Sequence, residues 1–222
     1  MKREVWIVMP AYNEESSIGG VIDGLHRQGF SQLIVVDDGS KDQTGRIARS
    51  KGAEVVAHDR NRGLGSALRT GFREARNKNA EIVVTFDSDG QHDPKAIPKL
   101  LDALKDANLV IGIRHRSKMP WNKRLGNSIL DVITRLFGGP LTDSQSGFRA
   151  LDRVALKNIR IRSDLYEVSS EILIQAREKN LKIKGVPIQG IFTEYSEASG
   201  TTIASGIRIF LNLFKQKVEG RI

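Results

Sequence analysis

Asp87-Ser88-Asp89 sets two carboxylates two residues apart at the end of the apolar run EIVVTF. In an extended chain, residues i and i+2 point to the same side, so both acids can face one point beyond the run. Paired hard anionic oxygens suit magnesium or manganese, which take oxygen ligands and commonly bridge to substrate phosphates. Gln91 and His92 follow at once and could complete such a shell. The plainer alternative is a turn capped by acids before Pro94. A second acidic cluster, Asp37-Asp38-Gly39-Ser40, closes the run QLIVV. A strand-end acid can accept hydrogen bonds from a ribose or a base edge, and Gly39 permits a tight turn. Equally, the cluster could be an ordinary turn into a helix at Thr44 capped by Asp42. Pro10-Ala11-Tyr12-Asn13-Glu14 closes the run VWIVM. There Tyr12 could stack on a flat base and Glu14 could accept from ribose or base N–H. Without a ligand it reads as a strand-to-helix connection. Asn61-Arg62-Gly63-Leu64-Gly65-Ser66 opens a helix, whose first N–H groups and dipole favour anions. A dinucleotide-binding glycine motif is rejected there: Gly63-Leu64-Gly65 follows the third strand rather than the first, and Leu68 fills the third glycine position.

Something must hold these clusters on one side of the molecule. The runs Val5–Met9, Gln32–Val36, Glu54–Ala57, Glu81–Phe86 and Asn108–Ile113 read as strands. Helical patterns separate them: from Ser16 and Ser17, as caps, to about Gln28, then Thr44–Lys51, Gly65–Asn77, and Pro94 leading into Lys95–Ala107. Strands separated by helices imply βαβ units and a mostly parallel, Rossmann-like sheet, with ligands at the carboxyl ends of the strands. PAYNEE, DDGSKD and DSDGQHD all directly follow apolar strands, which puts them at those ends. Beyond Arg114 the pattern changes. Trp121–Phe137 reads as an amphipathic helix, DSQSGFRAL as a loop entering a strand, and Ser169–Asn180 as a helix. Leu181–Val186 reads as a strand closed by Pro187, and Thr201–Glu219 as a last helix. The expected organisation is a single α/β domain over residues 1–200 with a helical appendage over 201–222.

The 222 residues suffice for a core without staples, and 39% hydrophobic with 27% charged residues is an ordinary globular composition. With no Cys, disulfides, thiolate metal sites and cysteine nucleophiles are all excluded. A net charge of +9 (35 Lys and Arg less 26 Asp and Glu) favours anionic partners. Nucleic acid is among these, but only 6% aromatics and no recognised binding motif argue against it. No window approaches the ~20 apolar residues of a membrane span, and the N-terminal apolar run is too short for a signal peptide. The expected location is the cytoplasm, in solution or on a membrane surface.

Taken together, VMPAYNEE, VVDDGSKDQT, NRGLGSALRTGF, VTFDSDGQHDP and DSQSGFRAL stand in the order of the family 2 glycosyltransferases, and residues 4–190 resemble that family. The likeness is greatest to its dolichyl-phosphate mannose synthase and polyprenyl-phosphate glycosyltransferase branch. The resemblance implies a GT-A fold and inverting transfer of a hexose from a nucleotide sugar to a polyprenyl phosphate. GDP-mannose is the favoured donor and UDP-glucose the other. It implies that Pro10, Tyr12 and Glu14 hold the nucleotide, and that Asp37 and Asp38 contact base and ribose. Asp87, Asp89 and Gln91 would bind magnesium or manganese and the diphosphate. Asp89, Arg124, Ser146 and Arg149 are the implied catalytic residues, and Arg124, Arg135, Ser146 and Arg149 would face the acceptor phosphate.

The acid-free stretch Arg114–Arg124 suits an anionic acceptor, or is a solvated basic loop. A saccharide hydroxyl acceptor would instead need a carboxylate base, for which Asp143 is the candidate. A sugar-phosphate nucleotidyltransferase would carry a G-x-G-T-R loop where PAYNEE stands. His92 is a candidate for the metal or diphosphate, whereas His58 and His115 read as surface residues. Thr201–Glu219 combines an apolar face with Arg208, Lys215 and Lys217. It reads as an in-plane interfacial helix or as one docked on the domain or on a partner such as a membrane subunit.

Overall fold

The computed structural model describes residues 4–114, 128, 131, 132, 134, 135, 143 and 145–189. The strands are β1 (Val5–Ala11), β2 (Leu33–Asp37), β3 (Glu54–Ala57), β4 (Ile82–Thr85), β5 (Leu109–Arg114), β6 (Arg149–Asp152) and β7 (Ile183–Ile188). The helices are α1 (Ile18–Arg27), α2 (Thr44–Ser50), α3 (Leu64–Asn77), α4 (Ile97–Ala103), α5 (Arg153–Asn158) and α6 (Val168–Glu178). The strands form one sheet in the order β3-β2-β1-β4-β6-β5-β7. Only β6 runs against its neighbours β4 and β5; the sheet is mostly parallel, as expected.

Both faces of the sheet are covered, which is why its central strands are continuously apolar. One face carries Ile7, Met9, Leu33, Val35, Val84 and Ala150 against Ile18, Ile22, Leu25, Ala48, Ile97 and Leu100 of α1, α2 and α4. The other carries Val8, Ile34, Val36, Val83, Ile111 and Leu151 against Leu68, Phe72, Leu156, Ile172 and Leu173 of α3, α5 and α6. The strand order reverses direction beside β1, where β2 lies on one side and β4 on the other. Ligands of open α/β sheets bind outside the carboxyl ends at such a point. Ala11 of β1 pairs with Asp37 of β2, and β4 ends at Thr85 opposite Val8. Residues 12–15, 38–43 and 86–93 therefore emerge on one side.

Several elements differ from expectation. Pro187 lies within β7 rather than ending it. Among the described residues β7 pairs only with β5, and an edge strand tolerates a residue without an N–H. Short α5 follows β6 directly, and the sequence pattern did not reveal it. Its start is capped by Asp152, whose side chain accepts from Ala155 N. Pro94 opens a 3-10 turn at Pro94–Ala96 before α4, and a second such turn at Leu104–Asp106 ends that segment. Ser17 does not accept a capping bond; its hydroxyl donates to the Glu14 carboxylate at 2.6 Å. Ser128, Asp131, Val132, Thr134 and Arg135 are helical, but the rest of Trp121–Phe137 and all of 201–222 lie outside the described residues. Among the described residues, no helix is long and apolar enough to cross a membrane.

α6 is buried through most of its length and carries charge inside. Glu171 is fully buried and accepts from Arg162 N at 2.8 Å, Ser163 N at 3.0 Å and Gln175 Nε2 at 2.8 Å. It thus replaces a strand partner for the 160–163 segment. Glu171→Ala strips those donors of their acceptor and is expected to cost about 2–4 kcal/mol. The shift of the urea midpoint measures it, and Glu171→Gln should cost less.

Candidate active site

The loops after β1 and β2 interlock. Asn13, at φ 55°, donates its backbone N–H to Ser40 Oγ at 3.0 Å, and its side-chain oxygen accepts from Lys41 N at 2.9 Å. Glu14 N donates to Thr44 Oγ1 at 2.7 Å, and Glu15 N donates to Asp42 at 3.1 Å. Asp42 also accepts from Thr44 N at 2.9 Å, but the N-cap position of α2 is Gln43, which makes no side-chain capping bond. The loop after β4 joins them where Ser88 Oγ donates to the Pro10 carbonyl at 2.8 Å. Tyr12 stands exposed at the rim. Asp37 ends β2 with Oδ1 accepting from Ser40 N at 3.0 Å. A Cβ on Gly45 would come 2.4 Å from Asp37 Oδ2, so the first turn of α2 closes directly on this acid.

Asp87 and Asp89 occupy contrasting surroundings. Asp87 Oδ2 lies 2.8 Å from His92 Nε2. Burial opposes its ionisation, but His92, Arg114 and Arg149 outweigh that and hold its carboxyl below the usual range. Burial pushes Asp89 up, and the charge of Asp87 pushes it further. Glu14 is raised too, by burial and then, against the Ser17 hydrogen bond, by the charges of Asp89, Asp42 and Asp87. At Asp89 and Glu14 the site therefore gathers negative charge that the cations beside Asp87 do not fully offset. That is the environment a divalent cation relieves. Among the described residues, no group of three or more His, Asp or Glu side chains could hold a metal by itself. Asp87 and Asp89 have the oxygen chemistry that magnesium or manganese takes, and such an ion would need its remaining ligands from elsewhere, as a diphosphate and water would supply. Gln91 meets these acids through its nitrogens: its backbone N–H and its Nε2 both donate to Asp89, at 3.0 and 2.5 Å, which orients that carboxylate.

The chain segment before β6 forms the opposite wall. The Gly147 carbonyl accepts from Thr85 Oγ1 at 2.6 Å. A Cβ there would sit 2.6 Å from both Asp87 oxygens. Gly147→Ala must displace that carboxylate, and a misplacement near 1 Å costs about a hundredfold in rate. Transfer is expected to fall on that scale with the melting temperature little changed, as rate assays beside thermal melts would show. Ser146 is fully buried, with no hydrogen-bond partner for its Oγ. Phe86 and Phe148 pack edge-on at 5.2 Å and enclose the His92 ring, at 5.5 and 5.0 Å.

Other expected site residues are placed differently. Arg149 is completely buried and donates to the Ser169 carbonyl at 3.5 Å. As it stands it acts on Asp87 through its charge and is not open to an acceptor. Asp143 is buried and gripped at two points by Arg114, with both bonds 2.8 Å, which does not suit a free base. Arg135 is exposed on its helical segment, and Arg124 lies outside the described residues, as does His115. Asp38 turns inward: its carboxylate accepts from Arg62 N at 3.0 Å, Gly63 N at 2.7 Å and the His58 ring at 2.6 Å. His58 is thus buried rather than on the surface. The NRGLGS segment is no open anion cradle either. Gly65 N and Ser66 N donate to the Asp164 carbonyl at 2.8 and 3.2 Å, and Gly63 and Gly65 leave room for that strand of chain.

Known proteins resemble this chain along most of its length. The chain is 39% identical over 241 residues to the UDP-N-acetylglucosamine–dolichyl-phosphate N-acetylglucosaminyltransferase of Methanococcus voltae, covering 96% of each. It is 31% identical over 212 residues to the undecaprenyl-phosphate mannosyltransferase of Micrococcus luteus, covering 87% of this chain and 86% of that one. The crystal structure of glucosyl-3-phosphoglycerate synthase from Mycobacterium tuberculosis, in complex with Mn2+, UDP-glucose and phosphoglyceric acid, matches with a TM-score of 0.73. That match has 25% identity over 95% of this chain and 79% of that one. The model of glycosyl transferase family 2 matches residues 6–163. With its GT-A-like sheet and its acidic loops gathered at one edge, the chain is a glycosyltransferase and belongs to glycosyl transferase family 2.

Proposed function

We propose that the protein transfers a sugar from a uridine diphosphate sugar to a polyprenyl phosphate, with inversion, in a single displacement. The observation that carries the acceptor reading is the Asp143–Arg114 pair. A saccharide hydroxyl must lose a proton to attack, and the acid suited to take it is locked in a two-point ion pair. A phosphate acceptor is already ionised at neutral pH and needs no strong base. Both curated relatives carry a polyprenyl phosphate in their names, which supports the same reading.

The donor would lie across the carboxyl ends of β1, β2 and β4. Tyr12 and Asp37 would take the base and ribose, with Pro10 shaping the floor and Glu14 bordering the diphosphate. Asp87 and Asp89 would hold magnesium or manganese with the diphosphate, and the ion would stabilise charge on the departing nucleotide. Asp87, kept ionised by His92, Arg114 and Arg149, is ready for that ion. Ser146, fully buried with its hydroxyl unengaged, would lie behind the acceptor side rather than on its surface. The M. voltae relative and the M. tuberculosis structure both support uracil as the base. An N-acetylhexosamine is therefore favoured over the mannose that the sequence suggested, although the M. luteus relative transfers mannose. Such an enzyme works at a membrane surface, where its acceptor resides.

The test is transfer of labelled sugar into an organic-extractable product. Polyprenyl phosphate and magnesium or manganese are supplied with UDP-N-acetylglucosamine, UDP-glucose or GDP-mannose in parallel. A lipid product from a UDP-sugar, lost on chelation, is the expected result. Donor hydrolysis without a lipid product would move the acceptor to a hydroxyl compound.

A further inference from the structure

We propose that His58 is a positioning residue for the nucleotide end of the donor pocket, locking the turn after β2 to helix α3 through the Asp38 carboxylate. The inference rests on the donor reading above.

His58 lies just beyond β3, outside every motif that marks the family in this chain. Its side chain is only 6% exposed. Its backbone N–H donates to the Asp37 carbonyl at 2.8 Å, prolonging the β2–β3 pairing past Ala57. Its ring Nδ1 lies 2.6 Å from Asp38 Oδ1, and its Nε2 lies 3.0 Å from Thr70 Oγ1 on α3. An ionised carboxylate only accepts, so Nδ1 carries the proton. The Thr70 hydroxyl can give or receive and completes the chain in either case. The remaining capacity of Asp38 goes to Arg62 N and Gly63 N. One buried carboxylate thereby binds two segments together, the end of β2 and the 58–63 loop. His58 anchors both to α3.

These segments border Asp37. Gly39, at φ 77°, lets the turn pass so close to the 58–63 loop that a Cβ would sit 2.3 Å from the Arg60 carbonyl carbon. The wall beside Asp37 is thus two loops in direct backbone contact, keyed by His58 and Asp38. None of these bonds reaches the Asp87–Asp89 side, where bond breaking would occur. Loss of the key should weaken nucleotide binding and leave the bound donor's transfer step nearly intact.

The replacements separate the ring's two bonds. His58→Ala removes both. His58→Asn restores a donor at the position of Nδ1 but cannot reach Thr70, and Thr70→Val removes only the outer bond. UDP binding is measured by calorimetry, with GDP alongside, and KM and kcat are measured with the UDP-sugar. His58→Ala is expected to raise the UDP dissociation constant and KM about tenfold, with kcat within about threefold. His58→Asn and Thr70→Val both keep a donor to Asp38 and lose only the outer bond, so each should weaken UDP binding by about twofold to threefold. His58→Ala binding UDP as the wild type does overturns the proposal. So does a folded His58→Asn that is as weak as His58→Ala, or an effect on kcat alone. Should His58→Ala fail to fold, His58→Asn and Thr70→Val decide: a modest loss of UDP affinity in both with kcat kept supports the proposal, and wild-type affinity in both or a loss in kcat alone overturns it. A wild type that binds GDP and not UDP revises the donor's base but leaves the same ranking to be read with GDP. A wild type that binds neither overturns the donor reading and this inference with it.

Discussion

Asp89→Asn is expected to reduce transfer by roughly a hundredfold to a thousandfold while leaving the fold at least as stable as the wild type. The two effects have one cause. Burial and the charge of Asp87 raise Asp89 above its ordinary value of 3.8. Its folded pKa lies above its unfolded one, so the native state favours the protonated form. At neutral pH the ionised side chain therefore weighs against folding, and below the ordinary carboxylate range that penalty is gone. Asn removes the charge but keeps an oxygen to accept from Gln91 N. Its melting temperature at pH 7 should equal or exceed that of the wild type, and any advantage should shrink as pH falls through the acid range. The same charge is what a divalent cation held here would need, so transfer is expected to fall with it. Undiminished transfer would take Asp89 out of the ion's shell. A lower melting temperature at pH 7 would make its carboxylate a support of the loop rather than a strained functional group.

Why were these acids visible in the sequence when some of their partners were not? The parallel strands carry their own evidence. A strand covered on both faces is apolar throughout, so VWIVM, LIVVD and IVVT stand out, and whatever polar residue ends the run must lie at the carboxyl edge. The strand-end rule thus found Asp37, Asp87 and Asp89 without knowledge of the ligand. It failed at Asp38. Successive residues of a strand face opposite ways, and the second acid of the pair turned into the structure, where His58 and the Arg62–Gly63 backbone meet it. Its partners stand 20 to 25 positions away in the chain, beyond the reach of local pattern. NRGLGS misled for a related reason. A helix start offers free N–H groups only if no distant carbonyl arrives, and Asp164, about a hundred residues later, does arrive. β6 runs antiparallel between parallel neighbours, and a four-residue strand gives no local sign of direction. Buried polar residues were the hardest to read. Glu171 and Gln175 break the apolar stripe of α6, yet they face inward because the 160–163 backbone lacks a strand to pair with.

Replacement of the buried Arg149 by Met is the second large effect expected. Burial pulls the guanidinium down to about 10, against the pull of Asp87 and Asp143. The folded pKa of this base lies below its unfolded value, so its charge opposes folding at all pH values below about 10 and the opposition fades above that. A depression of that size corresponds to a cost of about 3 kcal/mol at neutral pH. Replacing a buried ion by an apolar side chain of similar volume is often neutral or stabilising. Asp143 keeps its two bonds to Arg114, and Asp87 keeps the stronger influence of His92. Arg149→Met should therefore melt at or above the wild-type temperature. Transfer should nonetheless fall about a hundredfold, because a fixed positive charge beside Asp87 has gone. Arg149→Lys should not restore it, since a buried ammonium sheds its proton more readily than a guanidinium. Thermal melts and initial rates on the same preparations decide the matter. A collapse of the melting temperature by ten degrees or so would make Arg149 a structural ion. A stable variant with full transfer would remove it from the site. Stability kept and transfer lost would mean that this chain carries a buried charge at a cost to folding because the active site requires it.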